Sequence, residues 1–427
     1  MRGTRPIAVT LLAAFVLLAV SPPILAGSEP PTFLGTAYNT QRKLARGPDG
    51  TLYAAVTVNA SNTPQVRVLV SRDGVGWAPL APPSTTDLGT DRTALAVDSR
   101  GRLHLVWTEL DVDAGQVFHA SFASGAWTTP EQLSHSPGYA GFPSIAVDAQ
   151  DRVHVAWYGF DGAFYQIYYR RLEGGAWTSE RALTNEAVDA TNPAIALGPQ
   201  GEVHIAWFRL NRNGTLTEVA YLRLEGDTLA EILTISEAVD SVDPSIAADA
   251  SGRVHVAWGA LEGGNLIVVH RERAPAGPWS PIETVSPPGP GAEHPSLAIV
   301  GSGLRLVWEG TDSQIYYQRR DGGAWSSPRA LTGGGTNRYP SARWAQFHEA
   351  CADQLDVVWT QEEGGVATFV YASPDASRSC FPGPGLDAAV LPLAALIAGA
   401  ILLGVFLWWR RRKRRAKTIV RLGARRP

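Results

Sequence analysis

Basic residues are scarce over most of this chain, and that scarcity excludes one broad class of function. The sequence contains 37 Lys and Arg, but ten of them follow residue 409 and two precede residue 6. Residues 27–409 therefore carry 25 basic and 40 acidic side chains, a formal net charge of −15. Such an acidic region would be repelled by a phosphate backbone, so we expect no nucleic-acid partner.

Cysteine and methionine are also nearly absent, with two and one in the whole chain. In an oxidising compartment we expect Cys351 and Cys380 to pair as a disulfide, with two free thiols as the alternative. Glycine (43), proline (30) and tryptophan (14) are abundant by contrast. Many turn-forming residues together with many aromatics predict an all-β chain of short strands.

The first apolar segment lies at the N-terminus. Arg2 and Arg5 precede the apolar run Ile7–Val20, and a small residue, Ala26, offers a cleavage site. This order predicts a secretory signal peptide at residues 1–26, with an uncleaved N-terminal anchor as the alternative.

The second apolar segment lies near the C-terminus. Residues 388–409 contain no charged side chain, and as a helix they would measure about 33 Å, enough to cross a bilayer. Six consecutive basic residues follow at 410–415 and indicate a cytoplasmic end. We therefore expect a folded outer region at 27–372, a linker at 373–387, a transmembrane helix at 388–409 and a basic cytoplasmic tail at 410–427. The protein would lie in the cell membrane with its folded region outside.

The region between these two segments is one repeat. The pattern Pro-Ser-Ile-Ala followed by Val-His-Val-Ala-Trp occupies residues 143–157 and recurs in close or worn copies. Its aligned alanines are spaced by 50 or 51 residues: Ala45, Ala96, Ala146, Ala196, Ala247 and Ala298. That period fits one four-stranded blade per repeat. The strand Val-His-Val-Ala-Trp has no clean polar face, so it fits a sheet that is covered on both faces better than a sheet of a two-layer sandwich. We predict an all-β propeller of seven four-stranded blades, with six as the alternative.

The seventh repeat lacks a good fourth strand, because its third strand runs into Pro374. We expect residues 31–38 to supply that outer strand and close the ring. The disulfide would then pin the closing blade.

One hairpin resembles a known family. The segment Ser71-Arg72-Asp73-Gly74-Val75-Gly76-Trp77 resembles the aspartate-box (BNR) hairpin of sialidase-type propellers, and residues 171–177 and 319–325 look like worn copies. The resemblance implies that the Asp bonds nearby backbone and that the Trp packs between blades. It implies architecture more than activity, because the box recurs in many propellers that are not enzymes.

Residues that recur from one repeat to another are interpreted as scaffold. Four histidines share one register: His104, His154, His204 and His255. Packed sheets lie about 10 Å apart, whereas a zinc ligand lies about 2.1 Å from its ion, so histidines of successive blades cannot share a metal. We predict no metal site and no cofactor. The recurring tryptophans are interpreted as packing, with one or two exposed sugar platforms as the alternative.

Function is expected where the repeats differ, at the face on which the inner strands begin. Arg42, Arg92 and Arg338 open repeats that are neighbours in a closed ring, and guanidinium groups can bind a carboxylate bidentately. His294 and Asp243 open two further repeats and complete the predicted ligand-binding set. Solvated arginines, or arginines in ordinary ion pairs with Asp91 and Glu293, are the alternative.

The family resemblance also implies catalytic roles. Sialidases use an arginine triad, an aspartate acid and a tyrosine–glutamate nucleophile pair, which would make Asp91 the acid and Tyr339 with Glu293 the pair. The arginine-isoleucine-proline signature is absent, and Arg42-Lys43-Leu44 stands in its place. Two hypotheses stay open: a surface-anchored recognition module that binds glycan or protein without catalysis, and a sialidase-like exo-glycosidase acting on a carboxylate-bearing sugar.

Overall fold

The computed structural model describes residues 32–36, 42–60, 63–83, 89–110, 114–287, 291–343, 349–375 and 380. The predicted signal peptide, transmembrane helix, cytoplasmic tail and most of the linker lie outside these residues. Within the part of the chain that the structure describes, no helix has the length and apolar character that a membrane crossing requires.

The described strands form seven antiparallel sheets, one for each repeat, which we number as blades 1 to 7. Blade 1 comprises β1 (Thr32–Gly35), β2 (Leu44–Arg46), β3 (Leu52–Ala60), β4 (Thr63–Ser71) and β5 (Ala78–Pro79). Blade 2 comprises β6 (Thr90–Val97), β7 (Leu103–Leu110), β8 (Gly115–Ala123), β9 (Ala126–Trp127) and β10 (Glu131–Gln132). Blade 3 comprises β11 (Ala140–Val147), β12 (Val153–Phe160), β13 (Tyr165–Glu173), β14 (Ala176–Trp177) and β15 (Arg181–Ala182). Blade 4 comprises β16 (Ala190–Leu197), β17 (Val203–Leu210), β18 (Thr217–Glu225) and β19 (Thr228–Thr234), and blade 5 comprises β20 (Ser241–Ala248), β21 (Val254–Glu262), β22 (Asn265–Arg273) and β23 (Glu283–Thr284). Blade 6 comprises β24 (Ala292–Val300), β25 (Gly303–Gly310), β26 (Ile315–Arg320) and β27 (Arg329–Ala330). Blade 7 comprises β28 (Thr336–Ala342), β29 (Val357–Glu363) and β30 (Val366–Ala372).

The seven blades form a closed ring, as the repeat predicts. The first long strands of neighbouring blades contact one another and surround the axis. A buried apolar cluster fills each interface between neighbours, including the one at which Leu52 and Ala54 of blade 1 meet Val358 of blade 7. The prediction of a seven-bladed β-propeller is confirmed.

The predicted mode of closure is wrong. Strand β1 pairs with β3 of its own blade, as Thr32 with Asn59 and Phe33 with Val58, and the described part of blade 7 has three strands. Strand β2 pairs with the first half of the same β3. Together β1 and β2 therefore take the innermost position of blade 1, because that is the position a single long strand fills in the other blades.

Side chains join the last blade to the first instead. Arg46 of blade 1 and Asp356 of blade 7 form an ion pair at 3.0 Å with both side chains fully buried. Arg343 bonds the other oxygen of the same carboxylate at 2.6 Å. Cys351 and Cys380 are joined by a disulfide with a Cα–Cα distance of 5.9 Å. The Arg46 guanidinium also donates to the carbonyl of Cys380 at 3.1 Å, so these contacts form one cluster.

The recurring residues of the repeat build the ring. The serine of the Pro-Ser pair accepts a hydrogen bond from the innermost strand of the next blade, as from Ile195 N to Ser144 Oγ at 3.2 Å and from Leu297 N to Ser245 Oγ at 2.8 Å. The strand tryptophans are almost completely buried: Trp107, Trp157, Trp207, Trp258, Trp308 and Trp359. Repetition in the sequence thus marks positions that pack one blade on another.

Candidate functional site at the channel mouth

Each blade contributes one left-handed residue to the end of the axis at which the innermost strands begin. These seven residues, which we call the mouth ring, have φ between 48° and 78°: Arg42, Arg92, Phe142, Asn192, Asp243, His294 and Tyr339. In blades 2 to 7 each lies in a β-bulge, where the register to the second strand shifts. A bulge redirects a side chain, and a left-handed non-glycine residue costs about 1–3 kcal/mol, so such positions concentrate at functional sites.

Side-chain identity is what distinguishes the mouth ring from the scaffold. The backbone conformation is the same in all seven blades, but the side chains include two cations, one anion, one amide, one imidazole and two aromatic rings. Five of the seven belong to the predicted site: Arg42, Arg92, Asp243, His294 and Tyr339. Sequence reasoning left Phe142 and Asn192 out of it, although they lie at the same spacing of about 50 residues.

Arg92 is fixed against aromatic rings on one side of the mouth ring. Its guanidinium donates to the carboxylate of Asp91 and lies 4.7 Å from the ring centre of Phe142 and 5.7 Å from that of Tyr139. Burial raises the pKa of Asp91, although Arg92 and Lys43 oppose that shift. The pair therefore presents a planar cation stacked on rings, a geometry that lysine cannot reproduce.

A group of half-buried aromatic residues of blade 3 continues this surface, and we call Tyr139, Phe142, Tyr158 and Tyr165 the aromatic wall. The Tyr158 ring lies 5.4 Å from that of Phe142, 5.8 Å from that of Tyr139 and 5.2 Å from that of Tyr165. Burial raises the pKa of Tyr158 to about 12, so its hydroxyl stays protonated at neutral pH. The wall combines apolar ring faces with hydrogen-bonding tips.

A cluster of ionisable groups lies on the opposite side of the ring, in blades 5 to 7. His294 Nδ1 is 3.2 Å from Glu309 Oε2, its Nε2 is 3.9 Å from Asp243 Oδ2, and its ring is 5.0 Å from that of Tyr339. The backbone N–H of Tyr339 donates to Glu309 Oε2 at 3.0 Å. We call these four residues the His294 cluster.

The pKa values of Asp243 and His294 in this cluster are both raised. Burial raises the pKa of Asp243, although the His294 charge and a hydrogen bond from Asn192 oppose it. Burial alone would lower the pKa of His294, but the hydrogen bond to Glu309 and the nearby carboxylates, including Glu293, raise it overall. Ionisable groups whose pKa values are shifted by burial together with a specific charged partner occur preferentially at functional sites.

Arg42 and Lys43 extend their side chains deeper into the propeller than the aromatic wall, along the axis of the ring. Arg42 Nη2 donates to the carbonyl of Ile195, on the far side of the ring in blade 4, at 3.1 Å. Lys43 Nζ donates to the carbonyl of Thr93 at 2.6 Å. Burial lowers the pKa of Arg42 to about 10 and that of Lys43 to about 7, although Glu349 and Asp91 respectively oppose those shifts.

The predicted site residues thus occupy different environments. Arg42 bonds across the axis, Arg92 pairs with Asp91 on the aromatic rings, and Arg338 is exposed beside the mouth ring. The pairing of Arg92 with Asp91 corresponds to the ion-pair alternative raised from the sequence. Tyr339 contacts Glu309 through its backbone N–H and His294 through its ring, while Glu293 contributes to His294 through its charge.

Sequence reasoning also missed Glu309. It follows Trp308 in the repeat, a position held elsewhere by uncharged residues such as Thr108, Phe208 and Gly259. A single acid at an otherwise uncharged repeat position is the signal that could have identified it. The same position in blade 3 holds Tyr158 of the aromatic wall.

Comparisons with known proteins support the fold. No protein-family model matches the chain, and no curated protein matches it in sequence. A polysaccharide lyase of the PL25 ulvan lyase family matches with a TM-score of 0.57 at 12% identity, over 80% of this chain and 94% of that one. A structure from the same family bound to a GlcA–Rha3S sugar matches with a TM-score of 0.54 at 12% identity, over 79% of this chain and 95% of that one. A Hadza microbial sialidase matches with a TM-score of 0.47 at 14% identity, over 74% of this chain and 75% of that one. The structural neighbours of this propeller thus include polysaccharide lyases and sialidases, and at these identities the likeness is one of fold.

Proposed function

We propose that this protein binds a glycan at the mouth ring. The observation that carries the proposal is the aromatic wall with Arg92 stacked against it, at the end of the propeller where the side chains vary from blade to blade. Sugars offer apolar C–H faces that pack on aromatic rings and hydroxyl groups that need hydrogen-bond partners. Half-buried tyrosines supply both a ring face for the C–H groups and a hydroxyl for hydrogen bonds, and they lose little conformational entropy on binding.

The cations of the site lie on one side of the mouth ring, which favours a sugar that carries an acidic group. Arg92, paired with Asp91, lies against the wall, and Lys43 and Arg42 lie behind it along the axis, whereas the described carboxylates of the His294 cluster, Asp243 and Glu309, lie on the other side. A carboxylate or sulfate ester on the ligand would therefore be oriented toward blade 2. The neighbouring lyase bound to a glucuronate-containing sugar has this kind of ligand.

Attachment to the outer face of a cell membrane belongs to the same proposal. It rests on the uncharged segment at residues 388–409 and the basic residues that follow it. The propeller would then present its mouth ring to glycans outside the cell.

The binding proposal is tested with the full-length protein in detergent micelles, on an array of neutral, uronate-containing and sialylated oligosaccharides, followed by calorimetry on the best ligand. Phe142→Ala and Arg92→Lys should each weaken binding about tenfold or more, because each removes one stacked surface. The matched control is Tyr53→Ala, which removes a half-buried aromatic ring at the opposite end of blade 1. Binding unaffected by Phe142→Ala and Arg92→Lys, or no glycan bound at all, contradicts the proposal and leaves a protein ligand.

The His294 cluster favours a second candidate function, cleavage of the bound glycan. It offers an imidazole between two carboxylates with a phenol against its ring, at hydrogen-bond and contact distances. The assay follows new reducing ends released from the glycan identified on the array. His294→Gln should abolish cleavage and leave binding within about threefold, because the aromatic wall is untouched. A wild-type protein that binds but releases no product removes this second function and leaves the first intact.

A further inference from the structure

A second group of ionisable side chains lies in blade 5, at the end of the propeller opposite the mouth ring. His255 near the start of β21 faces His270 and Glu272 on β22, with one ligand atom from each residue within 4.8 Å of the others. His255 Nδ1 is 3.3 Å from His270 Nε2 and 3.4 Å from Glu272 Oε2. Both histidines are buried and Glu272 is partly exposed.

These spacings match those of a tetrahedral metal site. Zinc binds histidine nitrogen at about 2.0–2.1 Å and carboxylate oxygen at about 2.0–2.2 Å, so tetrahedral angles place neighbouring ligand atoms about 3.3–3.5 Å apart. The two measured separations fall in this range. An octahedral site with the same bond lengths would need about 2.9 Å between adjacent ligands.

The outer contacts of the two histidines also suit metal binding. His270 Nδ1, the nitrogen that points away from the cluster, lies 3.1 Å from Glu283 Oε1, and His255 Nε2 lies 3.8 Å from Asp249 Oδ2. Metal-binding histidines commonly donate their remote N–H to a carboxylate, which fixes the tautomer that leaves the other nitrogen free to bind. Arg253 bonds the second oxygen of Glu272 at 3.0 Å and so orients that carboxylate.

The charges around the two histidines also favour a cation. Three carboxylates, of Asp249, Glu272 and Glu283, surround the cluster, whereas the facing cations are Arg253 and Arg320. A divalent ion would offset the excess negative charge.

The ligand set distinguishes blade 5 from its neighbours. In blades 3 and 4 the residue that faces the repeat histidine is Tyr169 or Tyr221, and the position of Glu272 is taken by an arginine. Blade 2 retains a histidine pair, His104 and His119, with facing nitrogens 3.1 Å apart, but Ser121 takes the place of the glutamate. The repeat histidine alone is thus scaffold, and only in blade 5 do its described neighbours complete a three-residue ligand set.

We propose that His255, His270 and Glu272 bind one Zn²⁺ ion, with water in the fourth position. Histidines of successive blades lie too far apart to share a metal ion, whereas all three of these ligands come from adjacent strands of one blade. The ion joins β21 to β22 where blade 5 packs on blade 6, close to Trp325, whose indole N–H bonds Glu283.

The test uses untagged full-length protein stripped with a chelator, dialysed against Zn²⁺ alone and analysed by atomic emission. Wild type should retain about one zinc per chain, and Co²⁺ in its place should give the intense visible bands of a tetrahedral site. His270→Tyr installs the residue that blades 3 and 4 hold at this position, so it should fold normally yet lose the zinc. Glu272→Ser, the blade 2 residue, should weaken binding at least about tenfold.

The matched control is His119→Tyr, which makes the same replacement in the histidine pair of blade 2. It should retain the wild-type zinc content, and zinc should raise the Tm of wild type and His119→Tyr but not that of His270→Tyr. Wild-type protein without stoichiometric zinc overturns the proposal. So does a His270→Tyr variant that keeps its zinc, or a His119→Tyr variant that loses as much as His270→Tyr.

Discussion

Removing Arg46 should weaken the propeller more than almost any other single change to a charged residue. Arg46 and Asp356 are both fully buried and belong to the first and last blades. The Asp356 carboxylate accepts hydrogen bonds from Arg46, Arg343, Gln354 and Tyr371. Arg46→Met keeps the volume and the apolar stem but leaves a buried carboxylate without one of its two cations.

The expected loss follows from the burial of both partners. Breaking a buried ion pair by removing one member costs about 3–5 kcal/mol, because the remaining charge stays desolvated. Arg46 also donates to the carbonyls of Gly50 and Cys380, so two more acceptors lose their partner. We therefore expect the upper part of this range for Arg46→Met.

Urea unfolding followed by tryptophan fluorescence measures this loss as the shift of the midpoint at constant slope. The control is Arg100→Ala, which removes an exposed arginine whose partner Asp151 lies 3.9 Å away, and should cost less than about 0.5 kcal/mol. A loss below about 1 kcal/mol for Arg46→Met would refute the reasoning, since blades 1 and 7 would then not depend on this network.

Two further predictions concern the same inner region. The pKa of Lys43 is lowered to about 7 by burial, so between pH 7 and about 10 the unfolded chain binds a proton that the folded protein has released. The free energy of unfolding of wild type should therefore rise relative to that of Lys43→Met as the pH rises through this range. Urea unfolding at several pH values measures the difference, and the same pH dependence in the two proteins would contradict the lowered pKa of Lys43. In Gly35→Ala the new Cβ would clash with Thr360 Oγ1 of blade 7, at a backbone φ of +71°. The matched control is Gly125→Ala, which has a similar φ of +83° but whose Cβ meets no atom within 4 Å. The Tm of Gly35→Ala should therefore fall well below that of Gly125→Ala. Equal Tm values for the two alanine variants would show that β1 does not pack against blade 7.

The two ends of the propeller differ in a way that follows from the repeat. At one end short turns join the strands of each blade, and the repeat histidines lie buried beside them. At the other end each blade places one residue in the same left-handed conformation, and its side chain varies along the ring. The proposed glycan site occupies the variable end, and the proposed zinc site arises at the regular end only where the His255 neighbours depart from the repeat.

The sequence by itself determined the propeller architecture and favoured seven blades over six, because a period of about 50 residues with recurring buried positions leaves few other ways to cover both faces of every sheet. It also located five members of the mouth ring, since repeats that share a scaffold reveal function by their differences. These inferences need only short-range patterns repeated along the chain.

The tertiary structure alone decided how the ring closes and which side chains meet. Arg46 and Asp356 are 310 positions apart in sequence, and no local pattern pairs them. The same holds for β1, whose place beside β3 depends on the innermost position that the short β2 leaves open, and for Phe142 against Arg92, which come together only because neighbouring blades pack. Even the His255 and Glu272 pairing needs the register of β21 on β22, because a shift of one residue would turn one of the two side chains to the other face of the sheet.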